Sequence, residues 1–186
     1  MTTQTTTDRP VTEQLAGRTM WIPRMTVSGA RMMAAVFRSI GFDAAVVPEA
    51  NEETLELGGL YTSGEECYPE KVTMGDFLRV IRSEGFAPHK TAFFMPTAEG
   101  PCRFGQYAPY LRHVLRELGH GDVPVISPTS KNSYDDFARY ASDFMRRGWW
   151  ALVSADIVTK LQLKTRPYEN TPGDTDEALE QSLTRL

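Results

Sequence analysis

From Arg18 onward, short apolar runs alternate with stretches whose apolar residues recur every three or four positions. The first pattern suits strands and the second suits one face of a helix. Their alternation predicts a parallel sheet with crossover helices. The first unit is a strand over 19–22 stopped by Pro23, then a helix capped by Ser28 with Met33, Val36, Phe37 and Ile40 on its stripe. Gly41 closes that helix, and a second strand spans 44–47 before Pro48. Residues 51–57 suggest one or two helical turns, followed by a glycine-punctuated stretch over 58–64. Pro69 sits where a first helical position belongs, and Val72, Leu78 and Ile81 mark the buried stripe of a helix ending near Gly85.

The run 91–95 is apolar throughout, as for a strand buried on both faces. A long turn over 96–107 leads into a helix with Tyr110, Leu111, Val114, Leu115 and Leu118 on its apolar side. A fourth strand is expected over 123–127. Ser133 to Asp136 fits an acidic capping box that opens a helix carrying Phe137, Ala141 and Phe144 to Gly148. A second helix is expected over 149–163, a loop over 166–173, and a last helix over 175–186 with Leu179, Leu183 and Leu186 on an unfinished stripe. Residues 1–17, rich in Thr, Gln and charge, read as a flexible tail.

The expected fold is α/β: a doubly wound, flavodoxin-like domain of three layers, with about four parallel strands over 18–170 and extra C-terminal helices. Residues 171–186 form a helix suited to docking. In such sheets ligands bind outside the carboxyl ends of the strands.

Composition narrows the function. The chain has 186 residues, 41% hydrophobic and 24% charged, which suits one globular domain. A net charge of −4 argues against a nucleic-acid surface, and no apolar run nears the 18 or so residues of a membrane span. The polar N-terminus lacks the apolar core of a secretory signal. Two cysteines make no disulfide framework, so a cytoplasmic setting with reduced thiols is expected.

Those cysteines carry the candidate chemistry. Cys67 falls at or just before the helix opened by Pro69, where the helix dipole stabilises a thiolate. Cys102 lies in the turn after the buried strand, on the rim where such sheets bind ligands, and Arg103 adds a positive charge beside it. Thirty-five positions separate the thiols, without a Cys-x-x-Cys, so spacing alone also fits two unrelated free cysteines or a thiol redox pair.

The segments Ser63-Gly-Glu-Glu-Cys-Tyr-Pro-Glu-Lys-Val72 and Glu99-Gly-Pro-Cys-Arg-Phe-Gly-Gln-Tyr107 resemble paired motifs of the 2-hydroxyacyl-CoA dehydratase and acyl-CoA dehydratase activase (CoA activase) superfamily. More closely, the chain resembles the cluster-binding region near the C-terminus of its large fused proteins. It runs from about Arg18 to Glu169 and takes in Trp21-Ile-Pro-Arg-Met25 and Arg166-Pro-Tyr-Glu169. It implies that Cys67 and Cys102 are iron ligands of a 4Fe–4S cluster used in low-potential electron transfer. The reaction served would be 2-hydroxyacyl-CoA dehydration or a related reduction. It further implies an ATP-dependent activase domain or dehydratase-type subunit as partner, or a homo-oligomer sharing a cluster. Such a cluster takes four ligands, and this chain offers two cysteines. No Walker-type phosphate loop is present, so ATP hydrolysis by this chain alone is not expected. A non-catalytic assembly module is the alternative.

Glu65, Glu66 and Glu99 flank the cysteines as acid/base groups, spare ligands or plain loop carboxylates. His89, His113 and His120 read as surface or satisfied histidines. Tyr61, Tyr68, Phe104 and Tyr107 read as shielding aromatics or core, and Trp149-Trp150 as a core or interface anchor.

Overall fold

The computed structural model describes residues 9–128 and 134–185. Four strands, β1 (Thr19–Ile22), β2 (Ala44–Val46), β3 (Thr91–Phe94) and β4 (Val125–Ile126), form one all-parallel sheet in the order β2-β1-β3-β4. The helices are α1 (Val11–Leu15), α2 (Val27–Ser39), α3 (Glu52–Leu60), α4 (Tyr68–Arg82), α5 (Tyr107–Glu117), α6 (Tyr134–Tyr140), α7 (Phe144–Thr165) and α8 (Asp174–Arg185). This is the expected doubly wound α/β arrangement with extra C-terminal helices.

Successive strand residues face opposite layers. Met20, Ile22, Ala92, Phe94 and Ile126 meet α2, α6 and α7 on one side, where Phe37 packs against Phe94, Phe137 and Phe144 at ring distances of 5.1, 5.0 and 5.6 Å. Phe93 and Val125 join α4 and α5 on the other, with Phe77 at 4.9 Å from Phe93. The chain crosses from β1 to β2 through α2 on the first face and from β2 to β3 through α3 and α4 on the second. The sheet therefore reverses direction between β1 and β3, which places a crevice at their carboxyl ends.

Several boundaries differ from the sequence reading. Thr26, not Ser28, caps α2; Ser28 lies buried in its first turn, and its hydroxyl accepts a hydrogen bond from Thr159 at 3.0 Å. α3 begins with an Asn51–Thr54 capping box and runs on through Gly58 and Gly59 to Leu60. Gly58 is needed there because α3 and α4 touch backbone to backbone. A Cβ at Gly58 would stand 2.2 Å from the Lys71 carbonyl oxygen, and one at Gly75 would stand 1.9 Å from that of Thr54. Close packing here overrides the low helix propensity of glycine. The break between the last two helices of the domain falls at 141–143 and not at Gly148, which lies inside α7. A single interior glycine costs only about 1 kcal/mol and does not end a helix whose neighbours continue it.

Within the expected tail, residues 11–15 form a helical turn that buries Val11 and Leu15 in the α2-side core. The α8 stripe does not face outward: Leu183 is buried and Leu179 partly so, against Met32 and Ala155. The Ser133 cap and Leu186 lie outside the described residues. Among the described residues no helix is long and apolar enough to cross a membrane.

Candidate functional site

α4 leads into β3 and α5 leaves it, so both helices point their N-termini at the carboxyl rim of the sheet. Each carries one cysteine motif there. Cys67 is the N-cap of α4, with Pro69 in the first turn as the sequence suggests. Its carbonyl accepts hydrogen bonds from the amides of Glu70 and Lys71 at 2.9 and 3.2 Å. Cys102 caps the 3-10 turn Arg103–Gln106, which runs directly into α5. Gly100, in the loop before it, has φ 118°, a left-handed conformation that favours glycine. Both cysteines are free; Cys67 is half-buried, and Cys102 and Arg103 are exposed.

Tyr107, the first residue of α5, links the two motifs. Its hydroxyl lies 3.0 Å from the Cys67 sulfur. Burial pushes the phenol pKa up, and the hydrogen bond and charge of Cys67 add to the rise, with smaller contributions from Glu70 and Cys102. The phenol therefore keeps its proton. A thiolate can only accept, so in that state Tyr107 is the donor. Phe104 packs edge-on to Tyr107 at 5.2 Å, and the Tyr110 hydroxyl donates to the Tyr61 carbonyl. Tyr61, Phe104 and Tyr110 pack on the core and wall the site, whereas Tyr68 is exposed.

Glu70, which sequence reasoning did not single out, is the most unusual group here. It is 1% exposed, and its Oε2 is buried without a hydrogen-bond partner. Burial and then the charge of Glu66 push its pKa up, and Arg103 opposes the rise. A sequence signal existed: Glu70 shares a helical stripe with Thr73, Met74 and Phe77, all buried. Glu66 is differently placed. Burial would raise its pKa, but the amides of Glu66, Gly64 and Ser63 and the Ser63 hydroxyl hold it below the ordinary carboxylate value. Its carboxylate thereby ties the loop that delivers Cys67, at 2.9 Å from the Ser63 amide and 3.0 Å from that of Gly64. Glu65 and Glu99 are exposed loop residues.

The histidines fall elsewhere. His89 precedes β3, at the opposite edge of the sheet. His113 pairs with Glu117 at 3.2 Å on α5, and the His120 ring packs on Phe86.

The donor chemistry suits half of an iron–sulfur site. Two thiols stand at helix N-termini, one already hydrogen-bonded at sulfur, with a cationic Arg103 beside the other. Among the described residues no group of three or more His, Cys, Asp or Glu side chains is spaced to hold a metal ion. A four-ligand cluster on Cys67 and Cys102 thus needs donors from a second chain or from beyond the described residues. No family model, curated protein or solved structure matches the chain.

Proposed function

We propose that this chain is an iron–sulfur cluster-binding domain of an acyl-CoA dehydratase activase-like system. It takes part in low-potential electron transfer for 2-hydroxyacyl-CoA dehydration or a related reduction. The observation that supports this reading is that two free thiols, Cys67 capping α4 and Cys102 capping the 3-10 turn that leads into α5, both lie near Tyr107, whose hydroxyl is 3.0 Å from the Cys67 sulfur. When bound, a 4Fe–4S cluster supplies a one-electron carrier.

The chain's own residues have distinct tasks in this reading. The Cys67 and Cys102 sulfurs bind iron. The Tyr107 hydroxyl donates to the Cys67 sulfur and orients it. Arg103 offsets negative charge at the exposed side, while Tyr61, Phe104 and Tyr110 limit water at the buried side. The remaining thiolates come from a second copy, an ATP-dependent activase domain or a dehydratase-type subunit.

The test is iron and sulfide content with a visible spectrum on anaerobically reconstituted protein. Iron, sulfide and a thiolate-to-iron absorption band are expected, with iron lost in both Cys67→Ala and Cys102→Ala. Full iron retention by both variants overturns the assignment. A protein that stays colourless even with its partner chain present leaves a non-catalytic assembly module as the function.

A further inference from the structure

Cys67 occupies a helix N-terminus without receiving what that position ordinarily supplies. The side chain of an N-cap residue usually accepts a hydrogen bond from the amide two or three positions on. Two positions on from Cys67 stands Pro69, which has no amide to give. Three positions on, the Glu70 amide donates to the Cys67 carbonyl at 2.9 Å. The Cys67 side chain accordingly takes no cap hydrogen bond from α4. The contact its sulfur does make is with a side chain of another helix, the Tyr107 hydroxyl at 3.0 Å.

That hydroxyl is held in place. Tyr107 is 5% exposed, and Phe104 packs edge-on to its ring at 5.2 Å. One turn further along α5, Tyr110 donates to the carbonyl of Tyr61, which fastens the start of α5 to the end of α3. Ring and helix are both fixed, so the donor stays at the sulfur without reorganisation.

We propose that Tyr107 sets the reduction potential of a cluster held by Cys67, as a donor whose hydrogen bond strengthens when the sulfur gains negative charge. This rests on the cluster reading and adds a tuning role for one residue. Hydrogen bonds to the ligating sulfurs are among the factors that set such potentials. A sulfur bound to iron carries no proton, so it accepts and Tyr107 donates. Reduction brings in one electron; Tyr107 keeps its proton, and no covalent bond forms or breaks. The sulfurs become more negative, and hydrogen bonds to charged acceptors are stronger than those to neutral ones. The Tyr107 bond therefore favours the reduced state and raises the potential. Pro69 works the other way, since the amide it withholds would raise the potential further.

The test is an anaerobic redox titration at fixed pH of the reconstituted protein, with its partner chain where loading requires it, read by electron paramagnetic resonance. Tyr107→Phe should keep its iron and shift the midpoint potential to more negative values. The expected shift is roughly three- to tenfold in the reduction equilibrium, or about 30–60 mV for a one-electron couple. Ring-fluorinated tyrosine throughout this chain, whose hydroxyl is a stronger donor, should shift the wild-type potential the opposite way and leave that of Tyr107→Phe unmoved. His113→Gln, on the exposed side of α5, should leave the potential unchanged. A loaded Tyr107→Phe protein with the wild-type potential overturns the proposal and leaves the cluster reading standing. So does a fluorinated wild type that does not shift, which decides the matter should Tyr107→Phe fail to fold or lose its iron. A wild-type chain that takes up no iron with its partner present overturns the cluster reading, and this proposal with it.

Discussion

The hydroxyl of Tyr107 lies 3.0 Å from the sulfur of Cys67, across a sequence separation of forty residues. This contact joins the first turn of α5 to the cap of α4. It brings the two motifs that look separate in the sequence into one site.

Replacing Tyr107 by Phe should remove that hydrogen bond and little else. A loss of about 1 kcal/mol is expected for one partly buried hydrogen bond, read by denaturant unfolding at neutral pH. The alkaline end gives a second readout. The phenols of Tyr107 and Tyr110 are both raised, primarily by burial. Absorbance titration of the seven tyrosines should show a late-ionising class, and Tyr107→Phe should remove its last member. With the folded pKa raised, the phenol's contribution to stability is complete below its unfolded pKa of about 10 and is lost as pH rises beyond it.

Glu70 should be a stability liability in the iron-free protein. An unpartnered buried polar atom costs roughly 1–3 kcal/mol, and burial raises this carboxyl's pKa. Glu70→Met should therefore raise the thermal midpoint at pH 7. The sign fixes the pH window. A raised folded pKa means the wild-type penalty appears as pH rises above the unfolded value of about 4.3 and vanishes below it, where both states are protonated. The advantage of the Met variant should shrink as pH falls toward 4. An advantage constant across that range would show that Glu70 does not carry the effect through its charge.

Gly75 and Gly148 form a matched pair within helices. Alanine in a helix interior ordinarily stabilises by about 1 kcal/mol over glycine. Gly148→Ala meets nothing within 4 Å and should follow that rule. Gly75→Ala would set a Cβ 1.9 Å from the Thr54 carbonyl oxygen, so it should instead destabilise by about 1–3 kcal/mol or more through overpacking. Chemical denaturation of both variants checks the reversal of sign.

Removal of the α3 cap is a simpler case. The Asn51 side chain accepts from the Thr54 amide at 3.2 Å, and the Thr54 hydroxyl accepts from the Asn51 amide at 3.1 Å. Asn51→Ala should cost about 1 kcal/mol, measured by the same unfolding curves.

Much of this architecture is legible along the chain because local signals and tertiary packing agree there. Pro69 marks the start of α4, and its position alone puts Cys67 at the cap. The all-apolar run of β3 announces a strand buried on both faces, and it is buried at every position. The misreadings cluster where glycine is ambiguous. Gly58 looks like a loop residue, yet it is the point of α3 against which the α4 backbone rests. Gly148 looks like a stop, but nothing in its surroundings calls for a left-handed residue. Val11 and Leu15 are isolated apolar residues in a polar segment, too few to show a period, and only contact with the α2-side core gives them a place. Glu70 escaped because a charged residue on a buried stripe is ordinarily read as the stripe's edge.

One consequence concerns the unequal exposure of the two thiols. Cys67 is half-buried against the buried Tyr107, and Cys102 is exposed. The pair therefore has a front and a back. A hydrophilic alkylating reagent should count the sulfurs in order, Cys102 before Cys67. A metal ion, a reductant or a docking protein arriving from solution should likewise meet Cys102 first.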